Sequence, residues 1–242
     1  VNEKTGDIKL MSVYRDTYLD VGDGTYAKAN AAYAYGGPTQ TAEMLNKNLD
    51  LNISDYAVVG FEGIAKIVDA VGGVEIDVQQ DEIEHLNNYQ LTMSQETGME
   101  DIPVTQPGLQ TLNGLQATAY CRIRYTYGWD YMRAARQREV LYQVIKKAQA
   151  ADVSTLTQIA TDAFDEIYTS YELNNLISDV TSIAKYSVVE ESDPTQMQNG
   201  FPQADYRIQA NLSNSLGDCV VPRTLTENVQ WLHQFLFDDS SY

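Results

Sequence analysis

The stretch that decides the fold is IAKIVDAVGGVEIDV, residues 64–78. In its first half the apolar side chains recur at helical spacing, at Ile64, Ile67, Val68 and Val71. Gly72 and Gly73 follow, and residues free to adopt positive φ typically end a helix. Over the last five residues apolar and acidic side chains alternate, which is the period of a half-buried strand. The stretch therefore predicts a helix, a tight stop and a strand in succession.

Elements of both kinds continue on either side of this stretch. An apolar run at residues 56–60 predicts a strand before the helix, and alternation over residues 8–18 predicts another near the start. Helical spacing is found at residues 39–49, 114–120 and 133–150. We therefore expect a mixed α/β (α+β) fold, with a central mixed β-sheet flanked by helices in a layered sandwich, as a single domain over residues 1–242.

Three helix starts carry capping signals. Asn113 is expected to cap the helix at 114–120, because its side chain accepts hydrogen bonds from orphan amides. Thr169 with Glu172, and Thr224 with Glu227, each precede an apolar stripe and have the spacing of a capping box. An irregular loop is expected over residues 187–206, which contain two prolines and an acidic run.

Composition excludes several classes of protein. The 242-residue chain has 34 acidic and 16 basic side chains, a formal net charge of −18. Affinity for nucleic acid requires a basic surface, so an electrostatically driven nucleic-acid binder is excluded. The hydrophobic fraction of 43% is that of an ordinary globular chain, which excludes wholesale disorder. No apolar run approaches the roughly 20 residues of a membrane-spanning helix, so we expect the chain itself to be soluble.

The arginines are concentrated in one window of this acidic chain. Five of the eight lie within 17 residues, namely Arg122, Arg124, Arg133, Arg136 and Arg138. The window contains one carboxylate, that of Asp130. On a helix Arg133, Arg136 and Gln137 share a face near an N-terminus, where free amides already favour an anion. If residues 122–124 are extended, their two arginines point to one side.

This clustering predicts a pocket for a polyanion such as a pyrophosphate. The guanidinium is a planar fork suited to bidentate contact with phosphate, and it stays charged at any working pH. A second interpretation remains open, in which these arginines are solvated or paired with the surplus carboxylates.

Motifs for other chemistries are weak or absent. The sequence contains no nucleophile elbow, no P-loop and no dinucleotide fingerprint. His85 stands near the acidic residues Asp81, Glu82 and Glu84, which can bind a divalent ion, but a solvated helix turn is the favoured interpretation. His233 is expected at the surface or boundary of a C-terminal amphipathic helix.

Five segments follow one another in an order typical of one protein family. They are SVYRDTY at 12–18, KANAAYAYGG at 28–37, VDAVGGV at 68–74, GLQTLNGLQA at 108–117, and RIR at 122–124 followed by Asp130, Arg133, Arg136 and Gln137. In this order they resemble successive motifs of the LytR-CpsA-Psr family. Residues 220–237 also resemble the closing strand and helix of that family.

The resemblance implies an extracytoplasmic transferase of bacterial cell-wall assembly, anchored in the cell membrane in its full-length form. Such proteins move an anionic glycopolymer, teichoic acid or capsule-like, from a polyprenyl-pyrophosphate carrier to peptidoglycan. A Mg²⁺ ion is implied at the pyrophosphate. Nucleic acid is not expected as a partner, given the acidic charge.

Site roles carry over by position. The side chains implied to hold the pyrophosphate are Arg15, Lys28, Arg122, Arg124, Arg133, Arg136 and Gln137. Asp130 is implied as the catalytic group that orients or deprotonates the acceptor hydroxyl. The chemistry agrees with this set, because preorganised cations stabilise the charge that develops on a departing phosphate.

One part of the family pattern is expected upstream of Val1, namely the membrane anchor and two magnesium-binding aspartates. No metal ligand is therefore assigned in this chain, and Asp16 is expected to pair with neighbouring cations. A second function stays open for this reason: a non-catalytic polyisoprenoid-phosphate-binding or regulatory module, of the kind described as transcriptional attenuators. Whether the chain as given is an active enzyme also stays open.

Two further expectations concern apolar residues and thiols. A groove for the lipid would be lined by Val58, Phe61, Ile64 and Val68, with core packing as the favoured alternative for each residue. Cys121 and Cys219 allow at most one disulfide, and free thiols are favoured over that bridge.

Overall fold

Twelve strands and eight α-helices make up the part of the chain that the computed structural model describes, residues 1–189 and 199–237. The strands are β1 (Asp7–Lys9), β2 (Ser12–Val13), β3 (Tyr18–Gly22), β4 (Thr25–Lys28), β5 (Ala57–Val59), β6 (Val74–Val78), β7 (Gly108–Leu112), β8 (Ile167–Thr169), β9 (Ser187–Val189), β10 (Gly200–Phe201), β11 (Arg207–Asn211) and β12 (Asp218–Pro222). The helices are α1 (Asn30–Leu49), α2 (Phe61–Ala70), α3 (Ile83–Thr97), α4 (Gly114–Tyr120), α5 (Trp129–Ala150), α6 (Val153–Phe164), α7 (Leu173–Ser182) and α8 (Leu225–Phe237).

The stretch at 64–78 folds as its pattern predicts. Helix α2 ends before Gly72 and Gly73, which adopt φ values of 81° and 86°. A side chain at Gly73 would also meet the Leu112 carbonyl oxygen at 2.8 Å. Strand β6 then buries alternate residues and pairs antiparallel with β7. Glycine is therefore required at 73 both for its backbone conformation and for the approach of β7.

The mixed α/β class is confirmed, with parallel and antiparallel pairing both present. Within the described residues the strands form six two-stranded ladders, of which β1·β9 and β2·β10 are parallel and the other four antiparallel. The strands are two to five residues long, and in the described residues these separate two-stranded sheets take the place of the one central sheet that was expected. A parallel bridge between Thr17 and Val220 links β3 to β12.

Two clusters of buried apolar side chains form the core between the helices and the strand ladders. The first joins β6, β7 and helices α2 to α5, and the second joins β3, β4, α1 and α8. In the first, α4 packs so closely on α2 that a side chain at Gly114 would stand 2.0 Å from the Ala65 carbonyl oxygen. Among the described residues, no helix is long and apolar enough to cross a membrane.

Several local expectations are confirmed and others are corrected. Asn113 forms the full capping box with Gln116 at the start of α4. Before α8 the Thr224 hydroxyl donates to the Glu227 carboxylate, so this pair is bonded side chain to side chain and not through the backbone amides of the expected capping box. The box expected at Thr169 is wrong, because Thr169 lies in β8 and bonds the Tyr56 carbonyl oxygen.

Helix and strand boundaries also differ from expectation. Helix α1 begins at Asn30 rather than residue 39, because a kink at Gly36 and Gly37 joins two helical pieces. The strand expected over residues 8–18 is divided between β1, β2 and the start of β3. The loop expected at 187–206 includes β9 and β10, and its residues 190–198, with the acidic run, lie outside the described residues.

The two cysteines are free thiols, as favoured from the sequence, and the alternative bridge is not formed. Both are buried, and burial raises the pKa of the Cys121 thiol to about 12. A thiol in this environment is protonated and unreactive at neutral pH.

A buried ion pair connects α3 to α5. Arg136 donates from Nε to Glu82 Oε1 at 2.7 Å, and both side chains are less than 5% exposed. The same guanidinium bonds the Ile123 carbonyl oxygen at 3.2 Å and Thr126 Oγ1 at 2.5 Å. The second Glu82 oxygen accepts from the Gln79 amide at 2.8 Å. This pair thus fixes the segment before α5 as well as the helix itself.

Replacing Glu82 with Gln leaves the Arg136 charge buried without a counter-ion. Breaking one side of such a pair costs about 3–5 kcal/mol, so E82Q is expected to lower the free energy of unfolding by that order, measured by urea denaturation. The matched control is E62Q, because Glu62 pairs with Lys66 at the surface and little change is expected there. Equal losses in the two variants would contradict a structural role for Glu82.

Candidate functional site

A cavity of about 940 Å³ gathers most of the charged residues expected at the site. It lies where residues 12–16, the segment 124–131 with the start of α5, and strands β11 and β12 meet. Six of the eight expected site residues line it: Arg15, Lys28, Arg124, Asp130, Arg133 and Gln137. The cavity therefore unites residues from both halves of the sequence.

One wall is the turn between β2 and β3. The Thr17 amide donates to the Tyr14 carbonyl oxygen at 3.0 Å, which closes a turn with Arg15 and Asp16 at its tip. Tyr14 itself is buried, and a side chain at Gly200 would stand 1.7 Å from the Tyr14 hydroxyl. The absence of a side chain at 200 thus makes room for the ring that supports this turn.

The turn pairs its carboxylate with two cations, as expected for Asp16. Asp16 Oδ1 lies 3.1 Å from Lys28 Nζ and 3.7 Å from Arg15 Nε. Lys28 is the last residue of β4, and about three quarters of its side chain is buried. Asp16 therefore holds Lys28 at the cavity wall.

The opposite wall is the entry to α5. Asp130 lies in the first turn of this helix, and its carboxylate is 2.8 Å from Arg124 Nη2 and 3.2 Å from Arg133 Nη2. The Oδ1 atom is buried and accepts no hydrogen bond of good geometry from the described residues. One carboxylate thus holds two guanidinium groups that would otherwise repel each other.

The two arginines differ in their environments. The hydrogen bond to Asp130 raises the pKa of Arg124. Burial lowers the pKa of Arg133, and the nearby charges of Arg124 and Arg15 act in the same direction against the opposing effect of Asp130. Arg133 remains charged but is poorly solvated, which favours an anion beside it.

Gln137 reaches the cavity, whereas Arg136 does not. Successive helix residues are separated by about 100°, so Gln137 stands about 40° from Arg133 on one side and Arg136 about 60° on the other. Arg136 turns away to Glu82 beneath the helix. Gln137 lines the cavity and donates to the Cys121 carbonyl oxygen at 3.4 Å. The face predicted for all three residues is therefore divided.

Arg122 is also placed outside the cavity lining. Its guanidinium lies between two rings, 4.6 Å from the centroid of Phe61 and 5.1 Å from that of Tyr89. Its Nη1 atom is buried and has no hydrogen-bond partner among the described residues. Arg122 and Arg124 therefore do not point to one side, because the chain turns after α4 instead of extending.

The other residues considered from the sequence for a lipid groove or a metal site lie outside the cavity lining. Val68 is fully buried in the first apolar cluster, so core packing accounts for it. Phe61 is 51% exposed, and neither it nor the other three residues expected in a lipid groove lines the cavity. Glu82 is not in a solvated turn, since it is buried against Arg136. His233 lies at a boundary, with Nε2 2.9 Å from the Leu49 carbonyl oxygen.

Several cavity residues were not expected from the sequence, among them two with polar and two with aromatic side chains. Gln209 and Asp218 come from β11 and β12, and only the pairing of those strands with the first turn brings them near the arginines. Tyr127 and Trp129 lie within the arginine window itself. Two aromatic residues between Arg124 and Asp130 are a sequence pattern from which their place in the cavity could have been predicted.

The described residues do not make a magnesium site by themselves. No group of three or more His, Cys, Asp or Glu side chains suited to a metal occurs among them. In the cavity Asp16 and Asp130 are each bound to two cations, which leaves their oxygens poor ligands for a divalent ion.

Known proteins resemble this chain in sequence. It matches the model of the LytR_cpsA_psr family over residues 1–208. Biofilm regulatory protein A of Streptococcus mutans is 32% identical over 83% of this chain and 49% of its own length. A protein of Enterococcus faecalis, polyisoprenyl-teichoic acid–peptidoglycan teichoic acid transferase TagU, is 32% identical over 73% of this chain and 54% of its own. The chain thus spans about half the length of these relatives.

Solved structures share the fold. Bacillus subtilis TagT superposes with a TM-score of 0.71 at 22% identity, covering 97% of this chain and 82% of TagT. Protein gbs0355 of Streptococcus agalactiae gives a TM-score of 0.71 at 24% identity, covering 100% of this chain and 79% of that protein. With a family match over residues 1–208 and this fold, the chain belongs to the LytR_cpsA_psr family.

Proposed function

We propose that this domain binds the pyrophosphate of a polyprenyl-linked glycopolymer in the cavity and transfers the glycopolymer to peptidoglycan. The observation that carries this proposal is the convergence of Arg15, Lys28, Arg124 and Arg133 on one cavity of an otherwise strongly acidic chain. Two neighbouring phosphates match such a set, because each offers several acceptor oxygens to guanidinium forks.

The relatives support this reading of the cavity. TagU of Enterococcus faecalis is named as a transferase of teichoic acid from a polyisoprenyl carrier to peptidoglycan. One solved structure of TagT, with a TM-score of 0.73, carries the description "TagT bound to LIIa-WTA". For this chain we accordingly propose an extracytoplasmic location, with the carrier lipid and peptidoglycan as partners.

The proposed reaction replaces a phosphoanhydride bond with a phosphoester bond. The acceptor hydroxyl oxygen forms a bond to the phosphorus that bears the glycopolymer, and the bond from that phosphorus to the bridging oxygen breaks. Polyprenyl phosphate leaves with the bridging oxygen and its electron pair. Arg124 and Arg133 are placed to stabilise the charge that develops on the leaving phosphate, and such preorganised cations are typically a large part of catalysis.

Asp130 is the proposed acceptor of the hydroxyl proton. Its carboxylate is bound to Arg124 and Arg133, in the position that the proposed phosphate would take against those two guanidinium groups. A bound pyrophosphate would compete for both guanidinium groups and free an oxygen of Asp130 to accept a proton. Binding and activation of the base are thereby coupled through the same two arginines.

A second candidate is a regulatory module that binds the same lipid without turnover. Two relatives carry regulatory names, Biofilm regulatory protein A and regulatory protein MsrR of Staphylococcus aureus, the latter 36% identical over 61% of this chain. The pairing of Asp130 with Arg124 and Arg133 favours this candidate specifically, because a carboxylate held by two guanidinium groups is less accessible to an acceptor hydroxyl. Both functions require the same binding event and differ in whether Asp130 supports transfer.

Removing one cavity arginine is expected to weaken pyrophosphate binding. Loss of a charge-assisted contact costs roughly 1.5–3 kcal/mol, so R124Q should bind farnesyl pyrophosphate about 10-fold to 100-fold more weakly by calorimetry, with a smaller ligand-induced rise in melting temperature. K147Q is the matched control. The substitution removes the same single positive charge, but Lys147 lies in the last turn of α5 and does not line the cavity. Equal weakening in both variants would mean that only overall charge matters.

Neutralising Asp130 is expected to separate binding from transfer. D130N removes a negative charge from the cavity, so affinity for farnesyl pyrophosphate should stay equal or increase. Transfer of a lipid-linked glycopolymer to peptidoglycan fragments should fall roughly 100-fold or more if Asp130 is the base. Undiminished transfer by D130N would exclude this role, and absence of transfer by the unaltered domain alongside tight binding would favour the regulatory module.

A further inference from the structure

Two exposed aromatic rings share the cavity with the cations. Tyr127 and Trp129 both line it, yet 76% and 66% of their surfaces are exposed. Neither ring takes part in an apolar cluster of the fold. Large aromatic side chains left open to solvent at a cavity wall are typical of a surface that binds a partner.

The backbone holds these rings in a constrained loop. Trp129 adopts φ = 48° directly after Gly128 at 77°, a conformation that is rare and unfavourable for a bulky residue. The Trp129 amide bonds the Thr126 carbonyl oxygen at 3.3 Å, and Thr126 is in turn bonded by buried Arg136. Tyr125 supports the indole edge-on at 6.2 Å between centroids. The loop thus presents Trp129 in a fixed position.

The cavity is also too large for a pyrophosphate alone. Its volume of about 940 Å³ is in the upper part of the range for pockets that enclose whole small molecules. The cations account for the phosphates, whereas the rings offer a flat apolar surface without charge. Gln209 and Asp218 line the same cavity and offer polar groups beside that surface.

A pyranose ring has the matching chemistry. One face of the sugar presents C–H groups that pack on an aromatic ring, while its hydroxyl groups at the edge form hydrogen bonds with amide and carboxylate side chains. A lipid chain would use the rings but not the polar groups, and a phosphate would use neither ring. Aromatic and polar groups together on the wall of a phosphate cavity therefore favour a sugar attached or adjacent to the phosphates.

We propose that Trp129 and Tyr127 form a saccharide-stacking subsite next to the cationic part of the cavity. The inference rests on the proposed function for the position of the phosphates. Two sources present the same ring: the sugar directly attached to the carrier pyrophosphate, and a sugar of the acceptor glycan.

The test asks whether Trp129 contributes to the binding of a sugar phosphate but not to the binding of phosphate alone. The chain contains two tryptophans, so W231F leaves the indole N–H of Trp129 as the single indole signal in ¹⁵N NMR spectra. The probes are inorganic phosphate, N-acetylglucosamine 1-phosphate and neutral chitotetraose. By calorimetry, which does not need the Trp129 signal, we expect W129A to weaken binding of N-acetylglucosamine 1-phosphate roughly 2-fold to 10-fold and to leave inorganic phosphate affinity unchanged. Y127A should act in the same direction.

A control variant and the chitotetraose titration distinguish the two possible sources of the sugar. Y168A removes a ring that is 63% exposed on β8, outside the cavity lining, and should change neither affinity. A Trp129 signal that also moves with chitotetraose supports the acceptor glycan as the source, and one that moves only with the sugar phosphate supports the carrier-linked sugar. Equal effects of W129A on both phosphates, or no effect on either sugar probe, overturn the subsite.

Two further results would separate a failure of the subsite from a failure of the proposed function. A Trp129 signal that responds to phosphatidylcholine vesicles and to neither sugar overturns the subsite in favour of membrane contact. If inorganic phosphate and pyrophosphate fail to bind while chitotetraose still moves the Trp129 signal, the proposed function fails and the stacking surface stands.

Discussion

The ion pair between Arg136 and Glu82 is the contact on which the site depends. It is buried, and its guanidinium also holds the Ile123 carbonyl oxygen and the Thr126 hydroxyl. Those bonds fix both the rotation of α5 and the loop that precedes it. Because Arg136 points inward, helical geometry turns Arg133 and Gln137 toward the cavity. An arginine outside the cavity lining thus determines which way the cavity arginine of α5 points.

The cavity walls keep their cations together by pairing them with carboxylates. Asp16 lies beside Lys28 and Arg15, and Asp130 lies between Arg124 and Arg133. Each carboxylate offsets the like-charge repulsion between its two cations, and each would compete with the phosphate that we propose as the ligand. The affinity for that phosphate would therefore be the difference between two similar sets of contacts. This exchange explains how a chain with a net charge of −18 can maintain a cationic cavity.

Much of this arrangement was predictable from local pattern, and the remainder depends on long-range contacts. The helix, double glycine and strand at 64–78, and the Asn113 cap, follow from periodicity and capping chemistry. The arginine window indicated the chemistry, but sequence spacing cannot decide whether Arg136 faces a ligand or Glu82, 54 residues earlier in the chain. Spacing could not place Arg122 outside the cavity lining either, since its ring partners Phe61 and Tyr89 come from other helices. Gln209 and Asp218 reach the site only through strand pairing.

The most direct test of the central claim is the position of a bound pyrophosphate group, determined by crystallography of the domain with geranyl pyrophosphate. Phosphate oxygens are expected about 2.7–2.9 Å from the side-chain nitrogens of Arg124 and Arg133, within the cavity that Arg15 and Lys28 complete. The Asp130 carboxylate should have lost at least one of its two arginine contacts. A pyrophosphate bound at Arg122 between Phe61 and Tyr89, with the cavity and the Asp130 pairs unchanged, would contradict the central claim.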